Sequence, residues 1–245
     1  MFHFFSRKFF LIDYLEGFVD IHNHILHGLD DGAKTVEDSI EMIRAFSEIG
    51  IKNFIATPHI MHSYYPNTPE TINKSLTILK NELLKNGMRD ISIQAAAEHM
   101  IDGNFESILA DGTVMPLPHH YLLVEMSYLQ PSINFDEAIL KISSNNYSTI
   151  LAHPERYVYL HTNFKKYNKY KEKGILFQLN LLSLSDYYGK KVQQMAIKLL
   201  ERGLIDYLGS DIHNINQLNS LKEIKVTSKV LKTLLPIIEN TNQTF

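Results

Sequence analysis

The chain of 245 residues carries 24 Lys+Arg against 27 Asp+Glu, a formal net charge of −3, with 44% hydrophobic and 21% charged residues. That is ordinary globular usage, sufficient for one large domain, and its near-neutral balance predicts no electrostatic footprint for nucleic acid. The absence of cysteine excludes a disulfide framework, cysteine nucleophiles and thiolate metal sites, whereas the twelve histidines call for an explanation.

The chain opens on a dense apolar stretch, Phe2, Phe4, Phe5, Phe9, Phe10, Leu11 and Ile12, interrupted by Arg7 and Lys8. A signal peptide would put its charge before a continuous apolar run and follow it with a small-residue cleavage site. Neither holds here, and the stretch is far short of the roughly 20 apolar residues that span a bilayer. Residues 1–16 are expected to form an arm packed over a domain of residues 17–245, with peripheral membrane contact through the arm as the alternative. The protein is expected in the cytoplasm, without stable membrane insertion.

From residue 17 onward, short apolar runs alternate with helical patterns. Phe18–His24 reads as a buried strand, followed by Asn53–Pro58, Ile91–Ala97, Tyr121–Met126, Thr149–His153, Ile175–Leu179 and Ile205–Gly209. Between the first two, Thr35 caps a helix, with Asp38 approximating a capping box and Gly50 stopping it. Thr68-Pro69 opens the next helix and Gly87 closes it. Asn134–Asn145, Asn163–Lys173 and Gly189–Arg202 carry further helical patterns, and Lys222–Asn240 reads as a closing helix kinked by Pro236.

Strands alternating with helices predict a single α/β domain with a parallel sheet. A closed barrel suits it better than an open sheet because of where the polar residues fall. His22, His24, His59, Glu98, Glu125, His153, Asp211 and His213 all stand at strand ends. Only a parallel barrel brings so many C-terminal strand ends to one point.

His22 and His24 are two apart at a strand end, so both imidazoles project to the same side. Thr-Pro-His59, Ala-Ala-Ala-Glu98, Ala-His153-Pro-Glu-Arg156 and Gly-Ser-Asp211-Ile-His213 end other strands. A lone histidine beside a strand is more often structural than ligating. Repetition of the pattern at so many strand ends predicts a metal centre. Imidazole and carboxylate without sulfur suit Mn, Fe or Zn. The candidates exceed what one ion takes, so two or three divalent transition-metal ions are expected, bridged by Glu98 and roughly 3.5–4 Å apart.

In that order, H-x-H, T-P-H, A-A-E, A-H-P-E-R and S-D-x-H resemble the motifs of the PHP (polymerase and histidinol phosphatase) superfamily. More closely, His27-Gly-Leu-Asp-Asp31-Gly-Ala-Lys-Thr and His153-Pro-Glu-Arg156-Tyr resemble the PHP-type bacterial tyrosine phosphatases of capsule and exopolysaccharide loci. The resemblance runs from about Gly17 to Asn214. It implies a distorted (β/α)7 barrel and a manganese-favouring phosphatase acting on the tyrosine-rich tail of a polysaccharide-regulating kinase. By motif it implies a first metal on His22, His24, Glu98 and Asp211. A second would lie on His59, Glu98 and His153, and a third on Asp31 and His213. Arg156 matches the family's phosphate-binding arginine and Glu125 a family acidic position near the metals, and the resemblance implies that both are catalytic. His99 departs from the pattern, standing where an aromatic residue is expected.

Other residues have plainer readings. Gly28 to Thr35 has the wrong spacing for a nucleotide-binding loop, and Asp30 and Asp31 would repel phosphate. Asp30 reads as a turn residue, His27, His62 and His99 as neighbours of ligands or surface, and His119-His120 as loop. For Arg156 the alternative is a salt bridge to Glu155 or a barrel-rim carboxylate. A small-molecule PHP phosphatase, such as one for histidinol phosphate, is the runner-up function. A nuclease would need basic flanks, and an inactive scaffold would have lost ligands.

Overall fold

In the computed structural model, which describes residues 7–245, the parallel strands form two hydrogen-bonded groups. One group runs, neighbour to neighbour, Tyr207–Gly209, Leu176–Asn180, Ser148–Ala152, Tyr121–Glu125, Glu98–Met100 and His59–Ile60. The other runs Val19–Asp20, Asn53–Ala56 and Ser92–Ala95. Two stretches of chain contribute to both groups: each predicted strand breaks near its end, at Thr57-Pro58 and at Ala96-Ala97, and the chain then runs on as a short second strand, His59–Ile60 and Glu98–Met100, that the sequence pattern did not include. Pro58 brings no N–H to a ladder, which suits a break at that point. The circle closes where the first strand meets the last. Asn23 bridges Ile212 in parallel, and the Asp211 N–H donates to the His22 carbonyl at 2.7 Å. The architecture is thus the expected distorted α/β barrel.

The distortion has a local cause. Beyond Ser92–Ala95 the ladder is not continued by a parallel strand but by the segment 115–117. Ala97 N–H donates to the Met115 carbonyl at 3.0 Å, and Leu117 bridges Tyr121 antiparallel. His99 pins this seam. Its Nδ1 donates to the Leu123 carbonyl at 3.0 Å, while its Nε2 accepts from the Met115 N–H at 3.1 Å. Burial pushes its pKa down to about 4, so the ring stays neutral and serves as a fully buried strut.

Helices cover the outside. Val36–Ser47 begins at a full capping box, in which Thr35 and Asp38 satisfy each other's backbone N–H groups, and Pro69–Lys85 begins at another, built by Thr68 and Thr71. Their buried stripes, Ile40, Ile43 and Phe46 in the first and Ile72, Leu79 and Leu83 in the second, face the barrel. A short helix over Phe105–Ala110 has no counterpart in the sequence pattern.

The closing helix is a correction. Helix Ile215–Lys222 stops where Lys222–Asn240 was expected to begin, and Lys225–Thr227 is a strand antiparallel to Lys8–Phe10. Only then does Ser228–Thr244 run on as a helix, with Thr227 capping it and Pro236 inside. Ile224 and Val226 alternate with polar neighbours, a strand period hidden between two helical ones. Phe2, Phe4 and Phe5 lie outside the described residues, while Leu11 and Leu15 are fully buried in the core. Among the described residues no helix is long and apolar enough to cross a membrane.

Candidate metal centre

At the C-terminal end of the barrel all the sequence-predicted ligands meet. His22, His24, Glu98 and Asp211 form the deepest group, and every one of them is buried. His22 Nε2 lies 3.2 Å from Glu98 Oε2 and 3.3 Å from Asp211 Oδ1; His24 Nε2 lies 3.2 Å from Asp211 Oδ1. A second group joins His59, Glu98 and Glu125. His59 Nδ1 is 3.0 Å from Glu98 and 2.9 Å from Glu125, and His153 Nε2 is 2.9 Å from the other oxygen of Glu98. A third, around Asp31, His59, His213 and His24, faces outward, for the Asp31 side chain is 54% exposed. Glu98 touches both inner groups, as a bridging carboxylate must.

Backbone geometry aims these side chains. His153 and Asp211 leave their strands with φ of 35° and 52°, a left-handed conformation that L residues adopt at a cost of about 1–2 kcal/mol. Two glycines allow the close approach. A Cβ on Gly32 would lie 2.2 Å from the His24 carbonyl, and one on Gly209 would lie 2.6 Å from the His22 Cβ.

A chain of amides settles which nitrogen of His22 is free. Asp211 can only accept, so Asn180 Nδ2 donates to it at 2.6 Å; the Asn180 oxygen then accepts from Gln178 Nε2 at 3.1 Å. Gln178 Oε1 is left to accept from His22 Nδ1 at 2.7 Å, and the His22 Nε2 lone pair points into the cluster. His24 is held in the same sense, donating from Nδ1 to Asp30 Oδ2 at 2.8 Å, and Asp30 also accepts from the backbone N–H groups of Gly32 and His59. Asp30 is therefore the residue that orients His24, which its reading as a plain turn residue missed. Polar residues two apart in Phe-Gln178-Leu-Asn180, at the end of an apolar strand, were the signal for the amide chain.

The donor set passes a test that involves only this chain. His22 Nε2, His24 Nε2, His59 Nδ1, Glu98 Oε2 and Glu125 Oε1 are buried and lie close to one another, yet none makes a hydrogen bond of proper geometry. Buried polar atoms are ordinarily paired, and these converge on common points, as ligand atoms would around cations. Charge agrees. Burial would raise Glu98 and Asp211, yet the imidazoles around them, His22 foremost, hold both well below the carboxylate range. Burial would lower His24, but Asp30 and Asp211 carry it up to about 10, and Glu125 and Glu98 hold His59 well above its usual value. Protons thus stand in for positive charge that the carboxylates demand. His153 goes the other way, burial outweighing Glu98, and it stays neutral and fit to ligate.

Arg156 reaches the same centre from the turn Pro154–Arg156. It pairs with Asp211 rather than Glu155, Nη1 to Oδ2 at 2.5 Å. Its guanidinium lies 4.4 Å from the Tyr128 ring centre and 4.2 Å from that of Tyr188. A cleft of about 870 Å³ opens beside it, running from Asp31, His59 and Glu125 past Tyr64 and Tyr128 to Leu129 and Ile133.

The family model for capsular polysaccharide synthesis, CpsB/CapC, matches residues 18–232. The chain belongs to the CpsB/CapC family. Within it, the chain is 32% identical over 202 residues to tyrosine-protein phosphatase YwqE of Bacillus subtilis (strain 168), covering 82% of this chain and 79% of YwqE. It is 26% identical over 204 residues to tyrosine-protein phosphatase CpsB of Streptococcus pneumoniae, covering 81% of this chain and 84% of CpsB. Crystal structures of these two proteins describe them as metal-dependent tyrosine phosphatases. A chain from that work superposes with a TM-score of 0.81 at 28% identity, covering 92% of this chain and 93% of its own. A lactonase from Listeria monocytogenes, at 12% identity and a TM-score of 0.56 over 98% of this chain and 96% of its own, shares the fold alone.

Proposed function

We propose that this CpsB/CapC-family chain is a metal-dependent phosphomonoesterase that hydrolyses phosphotyrosine on a protein. The observation that carries this reading is the meeting of a buried imidazole–carboxylate cluster, a tyrosine-flanked arginine and a broad cleft at one strand-end surface. YwqE and CpsB, named as tyrosine-protein phosphatases, support it. So does their description as metal-dependent.

In this reading His22, His24, Glu98 and Asp211 hold one ion, and His59, Glu98 and His153 a second with Glu125 beside it. Asp31 and His213 serve a third. The nitrogen and oxygen donors suit manganese, with iron or zinc as alternatives. Bound there, the ions would supply an activated water and positive charge for the phosphoryl oxygens. Arg156 binds the phosphoryl group through paired donors, and Tyr128 and Tyr188 keep its guanidinium in one plane. A phenol leaving group, of pKa about 10, departs with little help from an acid, which fits a site whose acids are committed elsewhere.

Cleft shape bears on the substrate. A volume of about 870 Å³ with Leu129 and Ile133 almost wholly exposed on its rim suits a polypeptide better than one small molecule. We take the substrate to be the tyrosine-rich tail of a polysaccharide-regulating kinase in the cytoplasm. The test compares kcat/KM with manganese on a phosphotyrosine peptide, a phosphoserine peptide and histidinol phosphate. Fastest turnover of the phosphotyrosine peptide is expected, and faster turnover of histidinol phosphate would overturn the reading.

A further inference from the structure

Resting on the reading of this chain as a protein phosphatase, we propose a separate anion-binding subsite on the helix Lys165–Glu172. Its lysines receive an acidic stretch of the same peptide whose phosphotyrosine occupies the metal centre.

A cavity of about 540 Å³ adjoins the catalytic cleft, and Lys165, Lys166, Lys169 and Lys173 line it. It shares Pro131, Ser132 and Ile133 with that cleft, so segment 131–133 is a common rim. Ile133 is 99% exposed on this rim, an apolar step that a bound peptide would cover as it crosses.

The charge here runs against the rest of the chain. Overall the protein is slightly acidic, at −3, yet Lys165, Lys166, Lys169 and Lys171 crowd a helix whose first turn holds no acidic residue. Lys171 is tied to Asp206, and Lys173 pairs with Asp136 at 2.7 Å. Among the described residues no carboxylate lies within ion-pair distance of Lys165, Lys166 or Lys169. Tyr167 and Tyr170 are buried, Tyr170 where it lines the cavity beside the lysines, so the helix that carries them is fixed on the core. Neighbouring like charges repel, and cations in a first turn oppose the helix dipole. An anion seated in the cavity relieves both. Because the cavity and the cleft share the rim 131–133, residues of an extended peptide outside the phosphotyrosine itself make this contact.

The experiment uses the manganese-loaded full chain and matched phosphotyrosine peptides. One set has neutral flanks, one a run of glutamates before or after the phosphotyrosine, and one a second phosphotyrosine there. For the wild type the anionic flank should lower KM roughly tenfold, the sum of several exposed ion pairs, and added salt should erase the gain. The double variant Lys166→Glu, Lys169→Glu should lose the preference while turning over the neutral-flank peptide and 4-nitrophenyl phosphate as before. Equal KM on neutral and anionic peptides, or a preference untouched in the variant, would overturn the subsite. Binding to anionic vesicles that the variant loses, with peptide preference unchanged, would also overturn it and assign the lysines to a membrane surface. If no phosphotyrosine peptide is turned over, the phosphatase reading fails instead, and fluorescence anisotropy of the same peptides still decides the subsite.

Discussion

Arg156 Nη1 lies 2.5 Å from Asp211 Oδ2, so the arginine assigned to the phosphoryl group also holds a member of the deepest cluster. Asn180 donates to the same oxygen at 2.6 Å, which gives Asp211 a second anchor independent of Arg156. Arg156→Ala should therefore keep its metal content while kcat/KM on a phosphotyrosine peptide falls by about 2–4 kcal/mol of transition-state stabilisation. Elemental analysis beside steady-state kinetics separates the two effects. Wild-type kinetics in the variant would remove Arg156 from the site.

Glu98 faces His22, His59 and His153 at once, at 3.2, 3.0 and 2.9 Å. Among the described residues it is the carboxylate common to the two inner groups, placed to neutralise a cation in each. Glu98→Ala should lose at least one bound ion and about 100-fold or more in activity, beyond the usual cost of disturbing a ligand's support. A variant that retains all its metal would show that Glu98 bridges nothing.

The raised pKa values of His24 and His59 bear on pH. Without cations these rings carry protons, and the same nitrogens must be unprotonated to ligate. Metal binding should thus release protons at neutral pH, and affinity should weaken as pH falls. Calorimetry of manganese binding in buffers of different ionisation enthalpy measures the protons released. A binding heat that does not depend on the buffer would contradict this.

His99 predicts a stability effect separate from chemistry. Removing it would leave the Leu123 carbonyl and the Met115 N–H unpaired and open a cavity at the barrel seam. His99→Ala should cost about 2–4 kcal/mol in denaturant unfolding while metal stoichiometry is unchanged. Its folded pKa, about 4, lies below the ordinary 6.5, so its contribution is full above pH 6.5 and is lost as pH falls toward 4. The gap between wild type and variant should narrow over that window.

Much of this centre was legible from spacing, because strand ends in a parallel barrel converge and metal ligands must be imidazole or carboxylate when cysteine is absent. His22, His24, Asp31, His59, Glu98, Glu125, His153, Asp211 and His213 are drawn together accordingly. What stayed hidden depends on three-dimensional partners. Asp30 looked like turn chemistry until His24 Nδ1 was seen 2.8 Å away, and Tyr128 and Tyr188 acquire a role only from the guanidinium between them. The strand Lys225–Thr227 was hidden for a different reason. Its partner Lys8–Phe10 lies at the far end of the sequence, and no local period announces a pairing across that distance.

The central claim is that a multinuclear centre hydrolyses phosphotyrosine. The most direct test counts bound metal by elemental analysis while manganese is returned stepwise to chelated protein, with kcat/KM on a phosphotyrosine peptide read at each step. The account predicts no activity in the metal-free chain and a rise to full activity only as a second equivalent binds. Full activity at one equivalent or fewer would contradict it.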